Sequence, residues 1–139
     1  MTESQDPTTS IQVDQFLPHP PATVWRALTD PAMLARWWAA GDIAAEVGHR
    51  FHLDMGSWGQ VPCTVLEVEP ERRLVYTFND NWTLDWRLVP EGDGTRLLLE
   101  HRGFDLDDPR DRYAFDQMGP GWRDEVLPEL VRLLDTAAV

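Results

Sequence analysis

The chain has 139 residues, 42% hydrophobic and 26% charged, with a formal net charge of -12. That length holds a single core, and so acidic a surface repels phosphate backbones and anionic lipid, so neither nucleic acid nor a membrane is an expected partner. One cysteine, Cys63, excludes an internal disulfide, and no run approaches the ~18 apolar residues of a spanning helix, so the expectation is a soluble cytoplasmic protein.

Residues 1–10 are polar and read as a disordered tail, leaving 11–139 as one domain. Ile11 to Leu17 alternates and predicts a strand, which Pro18-His19-Pro20-Pro21 ends. Val24, Trp25 and Leu28 lie at helical spacing in Ala22 to Thr29, and Asp30-Pro31 supplies an N-cap and first-turn proline for a second short helix, reaching Trp37-Trp38. From Asp42 the period becomes two. Strands are predicted over His49 to Met55, Val61 to Val68, Arg73 to Phe78, Trp82 to Val89 and Thr95 to Arg102. The turns between them are Gly56-Ser57-Trp58-Gly59, Pro70-Glu71-Arg72, Asn79-Asp80-Asn81 and Glu91-Gly92-Asp93-Gly94. Asp108-Pro109 opens a helix expected to end near Met118-Gly119. Pro120 is expected to start the last one, to about Ala137, with Trp122, Val126, Leu130 and Leu133 as its apolar stripe. A bend is expected near Pro128, on the solvent side. The Gly119-Pro120 interruption would let Phe104 to Met118 act as a lid.

The fold class this predicts is α+β: a curved antiparallel sheet of six or seven strands wrapped around a long C-terminal helix, with two short helices after the first strand. The order of elements resembles the START/Bet v 1 (SRPBCC) superfamily, with its helix-grip fold. Within it the chain resembles the heat-shock protein 90 ATPase activator homologue family. The segments that carry the resemblance begin with 21–31 (PATVWRALTDP) and 34–38 (LARWW). They continue through 47–51 (VGHRF), 65–78 (VLEVEPERRLVYTF), 94–97 (GTRL), 101–104 (HRGF) and Gly121-Trp122. The resemblance implies a cavity between sheet and long helix, and members that bind lipids or polyketides, act as cyclases or serve as co-chaperone domains. It brings no catalytic motif with it.

The chain's own chemistry is sparse. His49 and His52 point to opposite faces of one strand, and no HExxH, CxxC, GxSxG or phosphate loop is present, so neither metal nor cofactor is expected. Cys63 reads as a buried inert thiol. The unusual feature is seven tryptophans, Trp25, Trp37, Trp38, Trp58, Trp82, Trp86 and Trp122. Parity and helical phase give a ligand-binding set of Trp37, Phe51, Leu53, Met55, Tyr76, Phe78, Trp82, Leu84, Trp86, Leu99, His101, Phe115, Met118 and Trp122. Either this face lines an open cavity or its bulk fills a core. His101 is either a satisfied core histidine or a group that orients a ligand carbonyl or moves a proton. The expected function is non-catalytic binding of a hydrophobic, aromatic or polycyclic small molecule by a monomer or weak homodimer. The rivals are a cyclase or aromatase using His101 and Tyr76, and a co-chaperone-like interaction module.

Overall fold

Alternating apolar and polar side chains build the sheet. The computed structural model describes residues 9–79 and 81–137. Its strands are β1 (Thr9–Leu17), β2 (Arg50–Asp54), β3 (Gln60–Glu69), β4 (Arg73–Phe78), β5 (Trp82–Glu91) and β6 (Gly94–Phe104). They form one antiparallel sheet in the order β1-β6-β5-β4-β3-β2. Strands β2 to β6 are a meander, and β1 returns to pair with β6. Strand β1 begins at Thr9, so Thr9 and Ser10 belong to the sheet and not to a tail; the rest of the expected tail, 1–8, lies outside the described residues. Asn79 has φ 64, the left-handed backbone expected of an Asn turn. Gly103 has φ 106, and a Cβ there would lie 2.5 Å from the Asn81 carbonyl oxygen. Only glycine lets β6 pass this close to the start of β5.

Helices α1 (Pro21–Thr29) and α2 (Pro31–Trp37) follow β1. The Asp30 carboxylate accepts from Ala32 N at 2.9 Å, and Asp108 accepts from Arg110 N at 2.9 Å, so both Asp-Pro signals are working caps.

The C-terminal helix corrects the sequence reading. Helix α3 (Pro109–Gly121) runs through Gly119 and Pro120 without interruption, continues as a π-turn over Trp122–Val126, and becomes α4 (Leu127–Ala137). There is therefore no Gly-Pro break to divide a lid from the long helix. The irregularity comes just before Pro128, where Leu127 N–H reaches back to the Trp122 carbonyl. In an α-turn Pro128 would crowd the carbonyl of Asp124; the wider turn precedes the proline and changes that geometry. A π-turn also adds a residue, so the buried stripe is Trp122, Leu127, Leu130, Leu133 and Leu134, and of the expected stripe only Val126 moves to its margin. Pro128 is partly buried rather than on the solvent side.

Candidate functional site: an apolar cleft beside a packed aromatic interior

The inner sheet face carries Phe51 and Leu53 from β2, Leu74, Tyr76 and Phe78 from β4, Leu84, Trp86 and Leu88 from β5, and Leu97, Leu99 and His101 from β6, all buried. At its centre this face is filled. Trp86 stands edge-on to Trp37 at 6.0 Å and to Trp122 at 5.6 Å between ring centroids. Its indole donates to the Tyr76 hydroxyl at 3.1 Å. Trp37 donates to the Ala27 carbonyl at 2.9 Å. Burial raises the Tyr76 pKa, so its hydroxyl stays protonated.

Space opens at one end. A cleft of about 820 Å³ lies between α3 with its π-turn and the β4–β5 end of the sheet. Trp38, Phe78, Trp82 and Trp122 supply its aromatic surface. Met55 and Val61 come from the β2–β3 side, and Ala114, Met118, Gly121 and Val126 from the helix. Asn79, Asn81, Arg110, Asp111, Gln117 and Glu125 give polar groups along it. Apolar walls with a few polar groups are the usual make-up of a small-molecule site. A Cβ added at Gly121 would meet nothing within 4 Å, so this glycine faces open space.

Beside the cleft sits His101, 0% exposed. Its Nδ1 accepts from Trp122 Nε1 at 3.1 Å. An indole only donates, so Nδ1 is unprotonated and the neutral ring carries its hydrogen on Nε2. Burial holds the ring neutral, lowering its pKa to about 3. Nε2 is buried and has no hydrogen-bond partner among the described residues, and the same holds for Trp82 Nε1. The two rings are in contact, with centroids 5.5 Å apart. His101 also packs on Phe78 at 5.6 Å and Trp122 at 6.1 Å, so three of its ring neighbours line the cleft.

Of the sequence-derived set, Met55, Phe78, Trp82, Met118 and Trp122 line the cleft. Trp37, Phe51, Leu53, Tyr76, Leu84, Trp86 and Leu99 lie in the packed core. His101 is buried between the two, and Phe115 packs on Phe104 at 5.4 Å. Trp38, Val61, Ala114, Gly121 and Val126 were not in the set. Trp38 sits at the C-cap of α2, where helical phase no longer says which way a side chain points. The Cys63 thiol is pushed up to about 12 by burial, which makes it a poor nucleophile. Among the described residues no three His, Cys, Asp or Glu side chains are grouped to hold a metal, and no helix is long and apolar enough to cross a membrane.

A curved antiparallel sheet closed by a C-terminal helix, with an apolar cleft at one end, defines a helix-grip domain of the ligand-binding or polyketide cyclase-like kind. The chain belongs to the family described as activator of Hsp90 ATPase homolog 1-like protein, whose model matches residues 18–135. No curated protein matches it. Among solved structures it is similar to protein MLL2253 from Mesorhizobium loti, with 33% identity and a TM-score of 0.83 over 92% of this chain and 98% of that one. It is similar to CalU16 from Micromonospora echinospora, with 30% identity and a TM-score of 0.71 over 91% and 76%. It also resembles DynU16, from the dynemicin biosynthetic locus, with 25% identity and a TM-score of 0.78; the likeness covers 92% of this chain and 48% of that protein.

Proposed function

We propose that the protein binds a planar apolar small molecule in the cleft between α3, its π-turn and the β4–β5 end of the sheet, and releases it chemically unchanged. The observation that carries this reading is the cleft itself: about 820 Å³, walled by Trp38, Phe78, Trp82 and Trp122. Burying ligand area there contributes ~25 cal/mol per Å², enough for useful affinity with little polar chemistry. The likeness to a protein of a biosynthetic locus is compatible with a ligand of natural-product type.

Binding is favoured over turnover by the state of the candidate groups. A general base needs a free lone pair near physiological pKa. The His101 lone pair is taken by Trp122, and burial lowers the ring's pKa to about 3. Tyr76 is closed in by Trp86 and its pKa is raised by burial.

Gly121 provides the test. It is helical, with φ -58 and ψ -46, and a side chain there projects into open space. Gly121→Phe should fill the cleft while the fold survives. Titration of the wild-type protein with fluorene should quench tryptophan emission saturably, and Gly121→Phe should abolish that response. A wild-type protein that gives no saturable response to fluorene or related planar compounds, or a Gly121→Phe variant that binds them equally well, overturns the reading.

A further inference from the structure

Two N–H donors are buried beside the cleft without acceptors among the described residues: His101 Nε2 and Trp82 Nε1. Elsewhere in the same aromatic interior such groups are paired. Trp37 donates to Ala27, Trp86 to Tyr76 and Trp122 to His101. A buried donor without an acceptor costs the full desolvation of the group, and a folded interior seldom carries two in contact. The proton on His101 Nε2 does not depend on an arbitrary choice of tautomer, because Trp122 fixes Nδ1 as the acceptor.

Resting on the binding reading above, we propose that these two groups form the polar end of the ligand site. The ligand class is then a planar aromatic ketone or quinone, whose carbonyl oxygen accepts from His101 Nε2 and Trp82 Nε1. One carbonyl oxygen has two lone pairs, enough for both donors. The way in is at Trp82. Of the three cleft-lining rings packed on His101, Phe78 is 2% and Trp122 4% exposed, whereas Trp82 is only partly buried. It is also the first residue of β5, where the strand leaves its turn. A shift of this ring, which both lines the cleft and packs on His101, would join the cleft to His101. The apolar walls then set shape and the donor pair sets chemistry: hydrocarbons fit, but they leave the buried donors unsatisfied, as a carbonyl compound does not.

The test uses two probes that differ at one position, 9-fluorenone and fluorene, a carbonyl against a methylene. Wild-type protein should bind fluorenone at least about tenfold more tightly than fluorene, which is about 1.4 kcal/mol. In His101→Leu and in Trp82→Phe that ratio should fall toward one. Because His101→Leu risks misfolding, the second readout is taken on the wild-type protein. Fluorenone should shift the Trp82 indole N–H and the His101 Nε2 resonances in ¹⁵N spectra by more than fluorene does. Equal affinity for the two probes, or fluorenone binding that leaves both resonances unmoved, overturns the donor-pair proposal and leaves apolar binding standing. Failure of both probes to bind overturns the binding reading with it.

Discussion

The two ends of the inner sheet face are made of the same residue types and end up in different physical states. Around Trp86, the indole, the Tyr76 hydroxyl and the neighbouring Trp37 all have hydrogen-bond partners, and the rings pack edge to face. Around Trp82, two buried N–H groups have no partner among the described residues and about 820 Å³ lies open beside them. Aromatic content therefore does not separate core from site in this molecule. Polar satisfaction does: paired donors mark filling that folding alone requires, and on the proposed reading the unpaired ones mark where a ligand would be accommodated.

The largest expected effect tests the packed end against the open one. Trp86 is 0% exposed and hydrogen-bonded, so Trp86→Ala leaves a large cavity and an unpartnered Tyr76; a loss of about 3–5 kcal/mol is expected. Trp82 is only partly buried and its indole has no hydrogen-bond partner among the described residues, so Trp82→Ala should cost about 1–2 kcal/mol. Chemical denaturation of the two variants checks this. Equal losses would mean that the open end is as much core as the other.

The pH dependence gives the next effect. Burial lowers the His101 pKa from 6.5 to about 3. Below pH 6.5 the unfolded chain takes up a proton at this ring that the folded chain refuses until about pH 3. The contribution is thus fully present above 6.5 and is lost as pH falls toward 3, at up to about 1.4 kcal/mol per pH unit. His101→Leu should flatten the stability profile of the wild type between pH 6.5 and 4.5. On the outer face the window differs. Burial alone would raise the Asp85 pKa, but hydrogen bonds from Arg73, Arg102 and Arg87 outweigh it and bring it from 3.8 down to about 2. That stability is present above 3.8 and lost as pH drops through 2, on the order of 2 kcal/mol. Asp85→Asn should remove the acid-side loss below pH 4 and leave the His101 window unchanged.

A smaller effect concerns the pairing itself. Tyr76→Phe keeps the ring and removes the acceptor of the Trp86 indole, creating at the packed end the same orphan donor that the open end already carries. A cost of about 1–3 kcal/mol is expected in thermal or denaturant unfolding. No measurable cost would mean that an unpaired indole is tolerated anywhere in this interior, and the distinction between the two ends would lose its basis.

The sheet was legible because its signal is simple. Leu84, Trp86 and Leu88 alternate with polar residues, and parity alone puts them inside, as the structure does. The caps at Asp30 and Asp108 were legible for the same reason, since a local motif has a local cause. The helix end was not. Gly119 and Pro120 are read locally as a stop, yet the helix runs on with Trp122 and Leu127 seated in the core. The one-residue slip from Val126 to Leu127 comes from a π-turn that no 3.6-residue period anticipates. The cleft was half legible. Parity finds Phe78 and Trp82 on the inner face but cannot tell a residue packed on a neighbour from one beside a void. That difference depends on where α3 lies, and hence on Ala114, Met118 and Gly121 together.

Gly121 carries the smallest effect and the most direct link between stability and site. A glycine inside a helix is about 0.5–1 kcal/mol less favourable than alanine, because its unfolded backbone has more freedom to lose. Nothing in the surroundings requires glycine at this position. Its dihedrals are ordinary helical values, and an added Cβ meets no atom within 4 Å. Gly121→Ala should therefore raise the unfolding free energy by about 0.5–1 kcal/mol, measured by denaturant titration. The methyl group would enter the cleft that Gly121 lines, so a modest loss of fluorene affinity should accompany the gain in stability. Gly119→Ala is the control two residues away, on the other side of the helix: its Cβ meets only the Arg123 guanidinium at 3.7 Å and does not line the cleft. It should bring a similar stabilisation with no change in binding. If both variants stabilise and only Gly121→Ala weakens binding, the glycine trades stability for open volume. If Gly121→Ala leaves binding untouched, the ligand does not approach this wall of the cleft, and the site contracts to the rings around Trp82.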